Sequence, residues 1–203
     1  MSVQNLIQPI NRSRCTAGYK NQKYNNRFNM VHYGCDYTNE NRNNNNPLYS
    51  LGSGIVLDAG NDRITGNTVI IRYDNVKVQK TTSRFPAGQI INVVCRMWHL
   101  ESISVTKSNN VNKDTTIGYY GQTGQAVYGA HLHIEFDTDL VYYQYTPSLR
   151  SGSNGGVVRG GTDSTVSPGS LICTKLSSPD NQSSIDDSEG YASGIDWNFV
   201  KIT

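Results

Sequence analysis

The chain is short of charge, of paired cysteines and of long apolar or helix-forming runs, and each shortage removes a class of protein. Only 17% of its 203 residues are charged, and 18 basic against 16 acidic side chains leave a net charge of +2. Nucleic-acid phosphates would call for a basic patch, so no such partner is expected. No stretch approaches the ~18 consecutive apolar residues of a membrane span. The opening MSVQNLIQPI has neither a basic start nor an apolar core, so no signal peptide is legible. That leaves a cytoplasmic protein, one released by lysis or carried on a phage particle, or a shortened chain. Cys15, Cys35, Cys95 and Cys173 form no C-x-x-C pair, which argues against a cysteine metal site or redox motif. Buried free thiols are the expectation, with a disulfide as the lesser alternative.

What is present points to β structure. Gly, Asn, Ser, Thr and Tyr abound; Gly and Asn interrupt helices, while Thr, Tyr, Val and Ile suit pleated strands. Residues 1–30 read as irregular, and Thr38 to Pro47, with its Asn43–Asn46 tract, as a polar loop. Ser53 to Ala59 and Asn67 to Tyr73 read as a hairpin joined through the turn-rich link Gly60 to Gly66. Asp74 to Gly88 looks loop-bearing, and strands are predicted at Ile90–Trp98, Ile103–Thr106, Thr116–Tyr120, His131–Phe136 and Leu171–Cys173. From Pro147 to Pro168 glycine and serine dominate around Val157-Val158. The segment 176–203 is a polar extension in which Trp197 and Phe199 could dock on the domain. The length suits one domain, taken as 1–175 with an irregular lead-in over 1–13, plus that extension. The fold class is mainly β, an antiparallel sheet, sandwich or barrel.

Four histidines are present: His32, His99, His131 and His133. Singly, each is more often a hydrogen-bonded or solvated side chain than a ligand. In a strand, His131 and His133 share a face roughly 6–7 Å apart, and both can reach one metal, or one can bind while the other handles protons. Leu132, Ile134 and Phe136 then face the other way, or the run is buried on both sides. A second pair lies in VHYGCD, where His32 and Asp36 would be about 13 Å apart on a straight strand. Gly34 between them would tolerate a bend, and alternation turns Cys35 away. Two imidazoles and one carboxylate form a three-ligand zinc site with an open fourth position, which is a catalytic arrangement. Spacing leaves open which of His131 and His133 is the ligand.

These residues resemble the M23 family of zinc metallopeptidases, the lysostaphin-like endopeptidases of peptidoglycan. The likeness rests on the H-x-x-x-D of VHYGCD, the isolated H-L of MWHLESISV and the closing H-x-H of GAHLHIEF. LGSGIVLDAG, GNTVIIRYDN and IGYYGQTG connect them in order, so the likeness runs over about residues 14–140, with an echo at Ser167 to Leu171. It implies a lysostaphin-like β fold whose long loops form a substrate groove. It further implies Zn2+ held by His32, Asp36 and His133, with His99 and His131 as the catalytic histidines. His131 would take a proton from the attacking water, and His99 would hydrogen-bond the water or the developing oxyanion.

The implied substrate and partner is bacterial peptidoglycan, cut by a monomer acting at the cell wall outside the cytoplasm. Trp98 stands where a small residue often precedes the isolated histidine, Ala130 where proline is common, and Val76 to Gly88 looks inserted. These departures bear on substrate preference. Two other readings stand beside the endopeptidase: an inactive wall-binding or phage-structural module of the same fold, and a zinc N-acetylmuramoyl-L-alanine amidase.

Overall fold

The structure is a computed structural model and describes residues 2–10, 13–29, 31–39, 46–141, 143, 157–159 and 162–173. Its elements run β1 (Leu6–Ile7), β2 (Ser13–Ala17), α1 (Gln22–Phe28), β3 (Gly34–Asn39), β4 (Pro47–Tyr49), β5 (Gly54–Asp62), β6 (Gly66–Lys77) and β7 (Ile90–Leu100). There follow β8 (Ser102–Ile103), β9 (Asn110–Val111), β10 (Thr116–Tyr119), β11 (Leu132–Asp137), β12 (Val157–Arg159), β13 (Thr162–Asp163), β14 (Thr165–Val166) and β15 (Ile172–Cys173). The predicted mainly β architecture is therefore what the chain adopts. Among the described residues no helix is long and apolar enough to cross a membrane.

One large sheet organises the molecule, in the order β2-β3-β11-β7-β6-β5-β9, with β14 also joined to β11. Its neighbours pair antiparallel. A smaller sheet, β4-β10-β8, contributes Leu48 and Ile117 to the same apolar core as Cys35, Val69, Ile71, Met97, Ile134 and Phe136 from the large one. At ~25 cal/mol per Å2 of buried apolar surface, this shared core is the main force holding the two sheets together. β1 pairs in parallel with β15, so the two ends of the described chain meet, and Leu6 is fully buried there.

Strand β11 runs through the middle and is buried on both faces: Leu132, Ile134 and Phe136 enter the core, while His133, Glu135 and Asp137 are buried opposite them. Of the two arrangements open to this run, the doubly buried one is realised. All four cysteines are buried and free, as expected.

The hairpin turn is tighter than predicted, because Asp62 Oδ1 accepts the N–H groups of Ile64 and Thr65 at 2.7 and 3.1 Å and closes the link over three residues. Residues 13–29, read as irregular, carry β2 and α1. β2 gains its order by pairing with β3. The short helix α1 is capped by the Asn21 side chain, which accepts Tyr24 N–H, and ends on Asn29 at φ 51°. The extension 176–203, with Trp197 and Phe199, most of the Asn43–Asn46 tract, and 147–156 lie outside the described residues.

Candidate metal and proton-transfer site

The antiparallel register sets His133 of β11 directly across from Asp36 of β3 on one side and Trp98 of β7 on the other. Cross-strand partners are close enough for side chains to touch, so the pairing alone brings the Asp36 carboxylate and an imidazole together. His32, which precedes β3, completes the cluster. His133 Nδ1 lies 2.8 Å from Asp36 Oδ1 and 3.1 Å from His32 Nε2, and His32 Nε2 lies 3.2 Å from the same Asp36 oxygen. These three ligand atoms form the metal-capable group found among the described residues, all within 4.8 Å of one another.

Gly34 makes this possible in a way the sequence did not suggest. The reading there was a bend between His32 and Asp36; in the structure the missing side chain makes room instead. A Cβ on Gly34 would lie 2.4 Å from the Ile134 carbonyl oxygen and 2.6 Å from His133 Nε2. The His133 ring therefore occupies the space that any other residue at 34 would fill.

The rings are aimed by contacts behind them. His32 Nδ1 donates to Gly18 O at 2.9 Å, which leaves Nε2 free as a ligand atom. The His32 backbone is held too, its N–H donating to Asn25 Oδ1 at 3.1 Å and its carbonyl accepting Lys20 N–H at 2.6 Å. His133 Nε2 faces buried Glu135 Oε1 at 3.4 Å, which leaves Nδ1 toward Asp36.

The charges agree with this crowding. Burial works against ionised Asp36, but the charges of His32 and His131 and hydrogen bonds from His133 and His32 outweigh it and hold its pKa well below the usual carboxylate range. Burial likewise opposes charge on His133, yet Asp36 and Glu135 lift its pKa to about 9. A carboxylate and two imidazoles this close call for a cation at their centre, a proton or a metal.

The donor set fits zinc. Ligand bonds of about 2.0–2.1 Å at tetrahedral angles space donor atoms about 3.3 Å apart, close to the 2.8–3.2 Å found here, and two imidazoles with one carboxylate leave a fourth position open.

His99 and His131 flank this cluster, with ring centroids 4.6 Å apart. His99 sits on a β-bulge. Between Asn67 and Val69 of β6 the partner strand advances from Leu100 to Met97, so β7 carries one extra residue at Trp98-His99. His99 takes φ 66°, a left-handed conformation uncommon for a residue with a Cβ, and its ring lies 6.0 Å from that of Trp98. In a regular strand the two side chains would point to opposite faces.

The GQTG segment holds His99 in place: His99 Nδ1 donates to Thr123 O at 2.9 Å, and Thr123 Oγ1 donates to Leu100 O at 2.7 Å. Burial first, then the charges of His131 and His133, press the His99 pKa down to about 3. His131 stands just before β11, half-buried. Its Nδ1 donates to Gly129 O at 2.9 Å, and its Nε2 lies 3.7 Å from Asp36 Oδ1. All five residues singled out in the sequence thus converge. Trp98, Tyr24, Gly18 and Glu135, which shape the site from behind, were not singled out for it, because stacking and backbone acceptors leave no motif.

No family profile matches the chain. A curated relative, the peptidoglycan DD-endopeptidase ShyA of Vibrio cholerae, is 33% identical over 89 residues, which are 44% of this chain and 17% of that protein. Among solved structures, a zinc-containing peptidase from Vibrio cholerae matches 66% of this chain and 37% of its own, with TM-score 0.51 and 24% identity. A chain from the SpoIIQ–SpoIIIAH pore-forming complex matches 84% of this chain and 92% of its own, with TM-score 0.55 and 14% identity. The chain therefore spans well under half the length of the two peptidases it resembles. The structural matches bear out the fold, and the curated relative bears out the likeness read from the motifs.

Proposed function

On the premise that the chain resembles the M23 peptidases in motif order and in fold, we propose that it is a zinc-dependent endopeptidase that hydrolyses peptide bonds of bacterial peptidoglycan at the cell wall. One observation carries this reading: His32, Asp36 and His133 offer three ligand atoms within 4.8 Å, with His99 and His131 beside them. The name of the curated relative supports peptidoglycan as the substrate and a peptide bond as the target. When bound, Zn2+ would supply Lewis acidity, which acidifies water and polarises a carbonyl.

The chain's own side chains divide the remaining work. Both flanking histidines spend Nδ1–H on a backbone carbonyl, so each presents Nε2 to the site as an acceptor. His99 is a poor base, its pKa pressed down to about 3 chiefly by burial. Proton abstraction from the attacking water therefore falls to His131, whose partly exposed ring reaches the mouth of the site. Once protonated at Nε2, His131 is the donor that the leaving amine needs. His99 Nε2 holds the water in line by accepting its second hydrogen. This refines the sequence expectation, in which the same ring could also serve the oxyanion. Asp36, fixed as a carboxylate, anchors the metal and draws the His131 ring toward the site.

The fold match to a chain of a pore-forming complex makes a non-enzymatic module the second reading. Fold alone does not carry an activity, and the convergence of all five residues favours the enzyme. Digestion of purified walls with and without chelator, followed by mass analysis, tests the proposal. New peptide amines that disappear with chelator are expected. Freed lactyl groups on muramic acid would point to the amidase instead, and no products at all would favour the structural module.

A further inference from the structure

Six aromatic rings run in an unbroken path through the site. Trp98 lies against His133 at 4.1 Å and 21°, His133 meets His32 at 4.9 Å and 64°, and His32 lies against Tyr24 at 4.3 Å and 24°. Beyond Tyr24 the path continues to Phe28 at 4.5 Å and to Tyr128 at 5.7 Å, where it reaches solvent. Each of the two imidazoles in the candidate metal site is thus backed on one face by a near-parallel aromatic ring.

We infer that Trp98 and Tyr24 are positioning residues for the metal: their rings fix the tilt of the two ligand imidazoles, so that His133 Nδ1 and His32 Nε2 converge on Asp36. The inference rests on the zinc reading above and adds to it the residues that orient the ligands. An imidazole rotates about its Cβ–Cγ bond in a broad, shallow well. A hydrogen bond to its far nitrogen limits that rotation, and a flat neighbour limits it further by blocking tilt. His32 has a 2.9 Å bond to Gly18 O behind it, whereas the corresponding contact of His133, 3.4 Å to Glu135 Oε1, is longer than a good hydrogen bond. His133 therefore depends more on its stacked neighbour than His32 does.

Two further observations favour positioning over simple volume-filling. Trp98 is buried and its Nε1 has no hydrogen-bond partner among the described residues. A buried unpaired donor is unfavourable, so an aliphatic side chain would suit a mere gap better. The indole stands where its face covers a ligand ring. Its placement is also built in twice, once by the register that sets Trp98 opposite His133 and once by the bulge that begins there. On the other side, Tyr24 and Phe28 stand four residues apart on one face of α1. That helix is capped by Asn21 and tied to the His32 backbone through Asn25.

The test compares Trp98→Leu with Trp98→Phe, and Tyr24→Leu with Tyr24→Phe. Zn2+ affinity is measured by competition with a chromophoric chelator, ligand geometry by the visible absorption of the Co2+ form, and folding by the thermal midpoint of the metal-free protein. Loss of one ring stack predicts that Trp98→Leu binds Zn2+ about 3- to 10-fold more weakly, with an altered Co2+ spectrum. Tyr24→Leu should show a smaller loss in the same direction. The phenylalanine variants, which keep a flat face, should recover most of both readouts, although Trp98→Phe also loses core volume and melts earlier. A role in packing alone would lower the melting temperature and leave Zn2+ affinity and the Co2+ spectrum unchanged, and that result overturns the inference. Should Trp98→Leu fail to fold, the Tyr24 pair decides, since Tyr24 is only partly buried: equal affinities for its leucine and phenylalanine variants overturn the inference. If the unaltered protein binds neither ion, the zinc reading itself fails and this inference with it.

Discussion

The two halves of the site are built in different ways. The proposed metal half, His32, Asp36 and His133, is almost closed to solvent, with 1%, 7% and 3% of each residue exposed, and its centre is a pair of registered strands. Each of its imidazoles has a contact behind the far nitrogen and a ring against one face. The proposed proton-handling half, in which His99 is just as buried, stands on irregular backbone. His99 is on a bulge at φ 66°, and His131 lies just outside β11 with its side chain 14% exposed. Metal ligation needs three atoms held to within a few tenths of an ångström, which the paired strands provide for Asp36 and His133 and hydrogen bonds to Gly18, Asn25 and Lys20 provide for His32. Proton transfer needs reach toward an incoming substrate, which a loop and a bulge provide.

The largest expected effect comes from breaking the scaffold of the metal half. Gly34→Ala forces a Cβ against the Ile134 carbonyl and the His133 ring, so β3 and β11 must part or the ring must leave. Zinc content should fall far below one ion per chain, wall digestion should disappear, and denaturant unfolding should show a stability loss of about 1–3 kcal/mol. A Gly34→Ala protein with full zinc content would mean that the gap at Gly34 does not seat His133.

Next in size is the contrast between the halves themselves. His131→Ala should reduce turnover by about 100- to 10,000-fold while leaving zinc bound. Asp36→Ala should lose the zinc along with the activity. Zinc analysis and wall turbidity on the same preparations separate the two, and full lytic activity in His131→Ala would show its role to be misassigned.

The smallest effect sharpens the comparison through pH. In the metal-free protein Asp36 and Glu135 outweigh burial and raise the His133 pKa to about 9, above its ordinary value of 6.5. The stabilisation from this group is therefore complete below about pH 6.5 and fades as pH rises through about 9. The gap in melting temperature between the unaltered protein and His133→Gln, both metal-free, should narrow steadily from pH 6 to pH 9.5. A gap that stays constant over that range would mean that the proton on His133 does not hold the cluster together.

Much of this was legible before the fold was known. The strand runs at Asn67–Tyr73 and Ile90–Trp98 read correctly, and that at His131–Phe136 all but its first residue, because alternating or continuous β-branched and apolar residues report burial directly. The four cysteines are free and buried, as expected of residues that form no C-x-x-C pair, and the disulfide alternative is not realised. Residues 13–29 did not read correctly. Their order comes from partners distant in sequence, β3 for the strand and His32 for the helix, and a nearly polar segment carries no trace of those partners. The bulge at Trp98-His99 was equally invisible, since one inserted residue leaves the local composition of a strand unchanged.

By itself, then, the sequence pointed to much of the strand content and to five residues that the fold brings together, because residue type and order are local properties. Only the tertiary structure decided that His133 stands across from Asp36 and against Trp98, that Gly34 makes room for its ring, and that His99 turns toward His131. Those facts depend on the pairing of strands distant along the chain, where a shift of one residue would turn every side chain to the other face.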